Sequence, residues 1–413
     1  LLVSIIIACF NKLEYTSQCV ESIEAFTPEE HEVIFIDNGS TDGTGEWIKE
    51  KMLSHPNYRL IENEENKGFP VACNQGIELS QGEYIVLLNN DVVVSKEWLK
   101  GLIECAESSK DIAIVGPRSN FVSGPQIVTD TSEGYDSLFK YQQFAEDFRK
   151  AYKGFYTPYW RIVFFCALIK REVFDKVGLL DERFTPGNFD DDDYCRRVCL
   201  AGYRNMICGD VFVHHHGSKS FAETKYAELL SGNEAKFIEK WADYPKTISA
   251  CMIVRDEEDC IAKCLDSISP HVDEIVVVDT GSKDRTKEIV SAYPKVKLYD
   301  FEWVDDFSEA RNFANSKATM AWILSVDADE VLTGLEKLDL KPFYAYRITT
   351  RNYTTNQKYA NITWNKGEYA EEQGYGWFPS TKVRIWPRDE RIVWEYPVHE
   401  VVENSVYYLG MGI

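Results

Sequence analysis

The sequence predicts an α/β protein of two domains in tandem, each a Rossmann-like fold with a mainly parallel, doubly wound sheet. Three observations lead to this fold class. The chain has 413 residues, which is more than one hydrophobic core usually organises. Apolar strand-like runs alternate with amphipathic helical segments, as in parallel sheets covered by helices. The whole pattern then occurs a second time in the same order.

The repeat is clearest where strands end. The segments VSIIIACFNKLEYTSQCVESI and ISACMIVRDEEDCIAKCLDSI each predict a buried strand, a polar turn and an amphipathic helix. A second apolar strand then ends at Asp37 or Asp279, and a third reaches Asp91 or Asp329. The paired aspartates are 54 residues apart in the first copy and 50 in the second. Because ligands gather at the carboxyl ends of parallel strands, each copy is expected to form one cleft.

The boundary between the copies is expected near Tyr244 and Pro245, which gives domains of residues 1–244 and 245–413. It follows the amphipathic segment ETKYAELLSGNEAKFIEKWADY, which predicts a helix that packs between or against the copies. The chain starts at Leu1 without Met and stops in YYLGMGI. We therefore expect a fragment of a longer protein, with a second domain that is truncated at its C-terminus.

Composition narrows the classes of partner and the compartment. The net charge of −22 disfavours binding to nucleic acid, because no basic patch offsets it. The longest apolar run, from Ile162 to Ile169, has eight residues, whereas about 18 are needed to cross a bilayer. Eleven scattered cysteines fit reduced thiols. We expect a cytoplasmic protein, or one peripheral at the inner face of the membrane, without a transmembrane segment.

The second strand of each copy ends in an aspartate that is followed by a Gly-Ser turn. At this position Asp37 or Asp279 could accept hydrogen bonds from a nucleobase or a ribose. The alternative is an ordinary helix cap, and Asp42 and Asp284 fit that role at least in part.

The third strand of each copy ends in residues suited to a metal ion. Asp327 and Asp329 alternate in VDADE, so both side chains point to one side of an extended chain. Carboxylate oxygens bind Mg²⁺ or Mn²⁺, and the metal can then bridge a diphosphate. In the first copy Asn89 replaces the first carboxylate and leaves Asp91 as the charged member.

Together these motifs resemble family 2 glycosyltransferases, which have the GT-A fold. Over nearly all of residues 1 to 220, the chain is similar to the rhamnosyltransferase-like branch through FIDNGSTDGT, NKGFPVACNQGI, YIVLLNND, FDDDDYCRRVCLAGYR and HHHGS. The second copy is similar to another branch through VVVDTGSKDRT, DDFSEARNFA, WILSVDADE and VHE. That branch includes lipopolysaccharide-core glucosyltransferase-like proteins and enzymes that glycosylate peptides.

The resemblance implies roles for individual residues of the first copy. Asp91 would bind the metal, and Asn89 and Asp42 would lie on the nucleotide side. Asp191, within FDDDDYC, would be the general base, since an inverting transfer needs a carboxylate to take the acceptor's proton. A merely solvated acidic loop is the alternative. The remaining nucleotide contacts would be Phe10, Asn11, Asp37, Lys67 and Gly68, and one of His214 and His216 would complete the metal site.

In the second copy the resemblance leaves the base open. No acidic run follows VDADE, so Glu400 and Glu395 are the two candidates. Arg311 could instead form a salt bridge with Glu309 or Asp306. The other implied roles are Asp279 and Asp284 on the nucleotide, Asp327 on ribose, Asp329 and His399 on metal, and Arg311 and Asn312 on the diphosphate.

The sequence therefore predicts a bifunctional, inverting glycosyltransferase that uses Mn²⁺ or Mg²⁺ and UDP- or dTDP-linked sugars. The acceptor is expected to be a growing glycan on a lipid-linked or peptide carrier. One alternative is a polymerase that alternates two sugars. The other is an enzyme with one active domain and one catalytically silent binding domain. The aromatic segments 118–163 and 333–398 are expected to shape acceptor pockets through stacking on sugar rings, or simply to pack the core.

Overall fold

The computed structural model describes residues 1–129, 137–217, 223–341, 344–356, 358, 362–368 and 372–413. The chain divides into two compact units, Leu1–Asp243 and Tyr244–Ile413. The division falls one residue before the expected boundary.

The first unit is built around a mixed, mainly parallel sheet. Within the described residues the strand order is β3-β2-β1-β4-β8-β6-β9-β5, and β7 pairs with β9. Its strands are β1 (Val3–Cys9), β2 (His31–Asp37), β3 (Tyr58–Glu62), β4 (Tyr84–Asn89), β5 (Val92–Val93), β6 (Ile112–Ser119), β7 (Tyr156–Pro158), β8 (Cys166–Lys170) and β9 (Arg204–His215). Its helices are α1 (Leu13–Phe26), α2 (Thr44–Met52), α3 (Phe69–Leu79), α4 (Trp98–Glu107), α5 (Leu138–Ala151), α6 (Arg171–Val177), α7 (Asp190–Leu200) and α8 (Glu223–Trp241).

The central strands β1, β2 and β4 are parallel and almost wholly buried. Their near-continuous apolar runs are typical of strands with helices on both faces. The strand β8 runs antiparallel between β4 and β6. Because β1, β2 and β4 run in one direction, their polar ends emerge at one edge of the sheet.

The second unit repeats the core of this arrangement with a shorter sheet. The order within its described residues is β12-β11-β10-β13-β16-β14, and β15 pairs with β16. Its strands are β10 (Ile248–Val254), β11 (Glu274–Asp279), β12 (Val296–Asp300), β13 (Trp322–Ser325), β14 (Tyr346–Thr354), β15 (Thr363–Trp364) and β16 (Gly376–Pro387). Its helices are α9 (Ile261–Ile268), α10 (Thr286–Ser291), α11 (Phe307–Lys317) and α12 (Glu403–Tyr408).

The repeat extends to individual hydrogen bonds. The Cys19 thiol on α1 donates to the carbonyl of Asn89 at 3.7 Å, and the Cys264 thiol on α9 donates to the carbonyl of Asp327 at 3.4 Å. Asn89 and Asp327 are therefore equivalent positions. The backbone N–H of Val94 donates to Ser22 Oγ at 3.0 Å, and the backbone N–H of Leu332 donates to Ser267 Oγ at 3.1 Å. Val94 and Leu332 are therefore equivalent as well.

The helix α8 packs onto the segment that precedes α7. The side-chain amide of Asn233 donates to the carbonyls of Phe184 at 2.6 Å and Gly187 at 2.8 Å. Lys240 forms an ion pair of 2.6 Å with Asp193, whose side chain is fully buried. In the described parts of the chain, no helix is long and apolar enough to span a bilayer.

Candidate active sites

The turns after β1 and β2 form one wall of the first candidate site. Asp37 is 5% exposed, and its Oδ1 accepts the backbone N–H of Ser40 at 3.0 Å. Asn11, in the left-handed region at φ 54°, donates its backbone N–H to Ser40 Oγ at 2.8 Å. Its Oδ1 accepts the N–H of Thr41 at 2.8 Å. Asn11 therefore holds the turn that follows Asp37, and the partly buried Phe10 precedes it.

The predicted nucleotide border at Lys67 and Gly68 lies at the start of α3. Gly68 has φ 85°, and an added Cβ would lie 2.7 Å from the Cα of Pro186. Its N–H donates to Oδ1 of Asn66 at 2.8 Å. Lys67 is exposed and has no hydrogen-bond or ion-pair partner among the described residues, so its ammonium is available to an anionic ligand.

Asp42 and Asp284 have the same local contacts in the two units. Oδ1 of Asp42 accepts the N–H of Thr44 at 3.2 Å, and Oδ2 accepts the N–H of Leu13 at 2.9 Å. In Asp284, Oδ1 accepts the N–H of Thr286 at the start of α10, and Oδ2 accepts the N–H of Glu258 in the turn before α9, each at 2.9 Å. Burial opposes ionisation, but these hydrogen bonds lower the pKa of both carboxyls. Asp42 thus caps α1 and α2, whereas Asp284 caps α10 and holds the turn before α9. Their predicted nucleotide contacts stay predictions.

At the end of β4 the three polar residues Asn89, Asn90 and Asp91 have different environments. Asn90 donates from its amide to Thr16 Oγ1 at 2.9 Å, which fixes it inside the fold. Asp91 is 9% exposed, and Asn89 is partly buried at the last position of the strand. The polar triplet therefore marks where β4 leaves the core.

His215, which the sequence did not single out, contacts the Asp91 carboxylate. Nε2 of His215 lies 3.1 Å from Oδ1 of Asp91, and Nδ1 lies 2.7 Å from the carbonyl of Phe121. Because a carbonyl oxygen only accepts hydrogen bonds, Nδ1–H donates to it, and the lone pair of Nε2 then faces the Asp91 carboxylate. Two lone pairs repel each other, so a proton or a metal ion is needed between Nε2 and Oδ1. Metal-binding histidines commonly have their second nitrogen held in this way.

The predicted candidates His214 and His216 contact each other. Nε2 of His214 lies 3.4 Å from Nδ1 of His216. Burial, followed by the neighbouring histidines, lowers the pKa of His214 to about 4, so its ring stays neutral at pH 7. The ring of His216 packs against Tyr15, with centroids 4.9 Å apart. Their roles at the metal stay predictions, whereas His215 has the direct contact with Asp91.

The acidic run at the start of α7 separates into residues with different partners. Asp193 pairs with Lys240 and Arg197, which gives it a structural role. Arg161, a residue not predicted, lies 3.5 Å from Asp191 and 3.1 Å from Asp192.

Burial and the Asp191 charge strongly perturb the neighbours of Asp191. They raise the pKa of Asp190 well above its usual range. They also raise the pKa of Asp192 to about 8, although Arg161 opposes this shift.

In the second unit Asp279 has the place of Asp37. It is 1% exposed, and its Oδ1 accepts the N–H groups of Gly281 and Ser282 at 3.0 Å each. Its Oδ2 is buried without a hydrogen-bond partner in the described part of the chain. Lys287 Nζ lies 3.7 Å from Oδ1. A buried carboxylate oxygen without a partner is energetically unfavourable, so a donor on a ligand would stabilise it.

The two aspartates of VDADE differ in exposure. Asp327 pairs with Arg311 at 2.7 Å and with Arg384 at 3.2 Å. Burial opposes the shift, but these two arginines lower the pKa of Asp327. Asp329 is exposed and has no partner among the described residues. Arg311 also donates to Glu400 at 2.7 Å, so its partners differ from the neighbouring acids considered from the sequence.

The other predicted residues of the second site lie after β16 or contact that segment. The amide of Asn312 bonds both backbone groups of Trp394, at 3.0 and 2.7 Å, and this gives it a structural contact. His399 is exposed, with φ 60°, and it directly precedes Glu400. Their diphosphate and metal roles stay predictions.

A divalent cation suits the side chains at Asp91 and His215. No three His, Cys, Asp or Glu side chains gather at one point in the described ranges. Mg²⁺ is usually bound by one or two carboxylates together with substrate phosphates. One carboxylate and one oriented imidazole in the first unit match that requirement, as does the exposed Asp329 in the second.

A mainly parallel sheet with polar side chains at the carboxyl ends of its strands is typical of α/β proteins that bind ligands at this edge of the sheet. The family model "Glycosyl transferase family 2" matches residues 4–178 and 249–382, so both units are covered. The chain belongs to this family. Membership and the two sheets confirm the predicted family and the predicted fold class of tandem GT-A domains.

Three similar proteins illustrate the range of this likeness. A TPR repeat-containing protein of Synechococcus elongatus is 52% identical over 169 residues, which are 39% of this chain and 37% of that protein. Glycosyltransferase GlyG of Streptococcus pneumoniae is 24% identical over 236 residues, 54% of this chain and 74% of GlyG. The mannosyltransferase PcManGT from Pyrobaculum calidifontis, solved with GDP-Man and Mn²⁺, has a TM-score of 0.44 at 20% identity, covering 57% of this chain and 64% of that one.

Proposed function

We propose that the first unit is an inverting, metal-assisted transferase site. It moves a sugar from a UDP- or dTDP-linked donor to a hydroxyl of a growing glycan on a lipid-linked or peptide carrier. The Asp91–His215 pair at the end of β4 carries this proposal, because its imidazole is oriented by Phe121 toward a carboxylate. That geometry supports cation binding where a diphosphate would lie.

The residues of the first unit have distinct tasks in this reaction. Asp37 accepts an N–H of the nucleobase, and Lys67 faces the nucleotide. Asp91 and His215 would hold Mn²⁺ or Mg²⁺, which supplies positive charge to the departing diphosphate. Asp191 takes the proton of the acceptor hydroxyl. The hydroxyl oxygen then bonds to the anomeric carbon from the face opposite the diphosphate, and the bond to the diphosphate breaks, which inverts the configuration.

The second unit is proposed as a second donor site, which makes the enzyme bifunctional. The buried, unpartnered Oδ2 of Asp279 and the exposed Asp329 support this function. One observation favours the alternative of a silent binding domain: Arg311 and Arg384 already pair with Asp327. A polymerase that alternates two sugars would use the same two sites in turn.

Release of nucleoside diphosphate from a panel of UDP- and dTDP-sugars tests this function in the full chain with Mn²⁺. Asp91→Ala and Asp329→Ala are each expected to lower turnover of one donor at least about 100-fold, because each removes the proposed carboxylate ligand. Asp175→Asn, on the exposed surface of α6, is the control. If only one of the two aspartate variants loses turnover, the other unit is a silent binding domain. Long glycan products indicate a polymerase. Absence of turnover in the wild type with every donor would contradict the proposal.

A further inference from the structure

The second unit lacks an acidic run, but the internal repeat shows where its base should be sought. Helices α3 and α11 are equivalent, since each follows the second βα unit and precedes the strand that ends in the polar motif. Their residues correspond in order: Phe69 with Phe307, and Asn74 with Asn312. Each helix anchors a segment from much later in its own unit, and the anchoring contacts can be compared one by one.

The first contact is at the start of each helix. The backbone N–H of Phe69 donates to the carbonyl of Pro186 at 2.9 Å. The backbone N–H of Phe307 donates to the carbonyl of Pro397 at 3.0 Å. The two prolines therefore occupy equivalent places against equivalent helices.

The second contact is the side-chain amide five residues later. In the first unit Asn74 donates to the carbonyl of Leu180 at 2.9 Å and accepts its N–H at 3.0 Å. In the second unit Asn312 donates to the carbonyl of Trp394 at 3.0 Å and accepts its N–H at 2.7 Å. Two independent anchors thus match residues 180–186 with residues 394–397, although the two segments share no obvious motif.

The first acids beyond these anchors are Asp190 and Asp191 in the first unit and Glu400 in the second. The helix residue just before the second anchor differs between the units. Cys73 in the first unit is replaced by Arg311 in the second, and Arg311 donates to Glu400 at 2.7 Å. The side chains of Asp191 and Glu400 are 10% and 12% exposed, and each pairs with an arginine.

We propose that Glu400 is the carboxylate that activates the acceptor in the second unit. This inference rests on the proposed second donor site. Glu400 takes the acceptor's hydroxyl proton, the oxygen bonds to the anomeric carbon, and the electron pair of the breaking bond leaves with the diphosphate. Arg311 is a positioning residue, since it holds Glu400 and Asp327 together. Glu395 directly follows the Trp394 anchor and contacts Asn404. Its counterpart after Leu180 is Asp181, which pairs with Lys240 and Arg183 and so has a structural role.

The full chain with Asp191→Asn isolates turnover at the second site, because the first unit then lacks its proposed base but keeps its nucleotide site. Two measurements are made: nucleoside diphosphate release from UDP- and dTDP-sugars with p-nitrophenyl glycoside acceptors, and calorimetric binding of UDP with Mn²⁺. In this background Glu400→Gln is expected to lower kcat at least about 100-fold and to leave UDP affinity within about threefold, because amide replaces carboxylate without a change of size. Glu390→Gln, at an exposed glutamate of the same unit, is the matched control.

Glu400→Asp distinguishes a base from a structural anchor, because it keeps the carboxylate and should recover part of kcat. The proposal would be overturned if Glu400→Gln turned over donor as fast as Glu390→Gln. It would also be overturned if Glu395→Gln lost about 100-fold in kcat while Glu400→Gln did not. If the Asp191→Asn chain turns over no donor, Glu400 is not a base. Nucleotide binding in the second unit stands in that case if the chain binds two UDP molecules and Asp329→Ala removes one of them, and the proposed second donor site fails as well if Asp329→Ala leaves UDP binding unchanged.

Discussion

The ends of β4 and β13 differ between the two units, and the structure reverses the order in available charge that the sequence suggests. The first unit has one carboxylate, Asp91, because Asn89 occupies the other position. The second unit has two, but Asp327 is paired with Arg311 and Arg384. Each unit therefore offers one carboxylate with no arginine partner described, Asp91 or Asp329. The comparison teaches that the number of acids in a motif is a poor guide to the charge available to a ligand.

The largest expected effect breaks the charge pairing of the second unit. Arg384→Met removes the buried cation that lies 2.8 Å from Glu330 and 3.2 Å from Asp327, and leaves Asp327 with Arg311 alone. Loss of one partner of a buried pair costs about 3–5 kcal/mol of unfolding free energy. This loss of unfolding free energy is measured by hydrogen exchange of the backbone amides of β13 and β16 in the full chain. Arg285→Met, in an exposed pair with Glu288, should cost less than about 1 kcal/mol; equal costs would contradict a structural role for the Arg384 pair.

A second test concerns the aspartate at the end of the second strand. Gly45 occupies the position of Lys287, and an added Cβ would lie 2.7 Å from Oδ2 of Asp37. Gly45→Lys should crowd and neutralise that carboxylate, and a hydrogen bond to a charged group is worth about 1.5–3 kcal/mol. UDP affinity of the first unit should therefore fall roughly tenfold or more.

The control for this test is Gly232→Lys, where an added Cβ meets nothing within 4 Å. Calorimetric titration with UDP and Mn²⁺ measures both variants in the full chain. The reciprocal change Lys287→Gly should leave the second unit's affinity equal or stronger, because Asp279 loses a competing cation. Unchanged affinity in Gly45→Lys would remove Asp37 from the nucleotide site.

The smallest expected effect sharpens the likeness of the two units. Asp42→Ala and Asp284→Ala each remove a carboxylate that caps a helix, α2 or α10, and loss of a cap costs about 1 kcal/mol. Hydrogen exchange of amides in the first turns of α2 and α10 should show similar losses in the two units. The Asn variants, which keep one acceptor oxygen, should retain part of the stability. A difference above about 1 kcal/mol between the two alanine variants would show that the caps are not equivalent.

The fold was predictable because its signals are local. Apolar strands that end in aspartate, followed by amphipathic helices, specify both the parallel sheets and the duplication without any long-range information. The same locality explains why these aspartates could be singled out: Asp37 and Asp279 end a buried strand, and Asp329 lies four residues after one.

The remaining site residues depend on contacts between distant segments. Strands β5 and β9 pair so that Val92 lies opposite His215, and this register brings His215 to Asp91. In an extended strand alternate side chains point to the same face, so the sequence HHH places His214 and His216 on one face and His215 on the other. This rule could not show which face is turned toward Asp91. Arg161 and Arg384 gave no local signal, since their partners lie about 30 and 57 residues away in the chain. A search for arginines able to balance the acids would have been the only available hint.

The docking of α8 has a practical consequence for producing the first unit alone. A gene fragment that stops after the histidine triplet would encode every proposed ligand of that unit and yet omit Asn233 and Lys240. Asp193 would then lose Lys240, one of the two cations that pair with its buried carboxylate. The backbone before α7 would lose the hydrogen bonds from the Asn233 side-chain amide. Expression trials should therefore extend past Trp241, even though the helix contributes no residue to the chemistry.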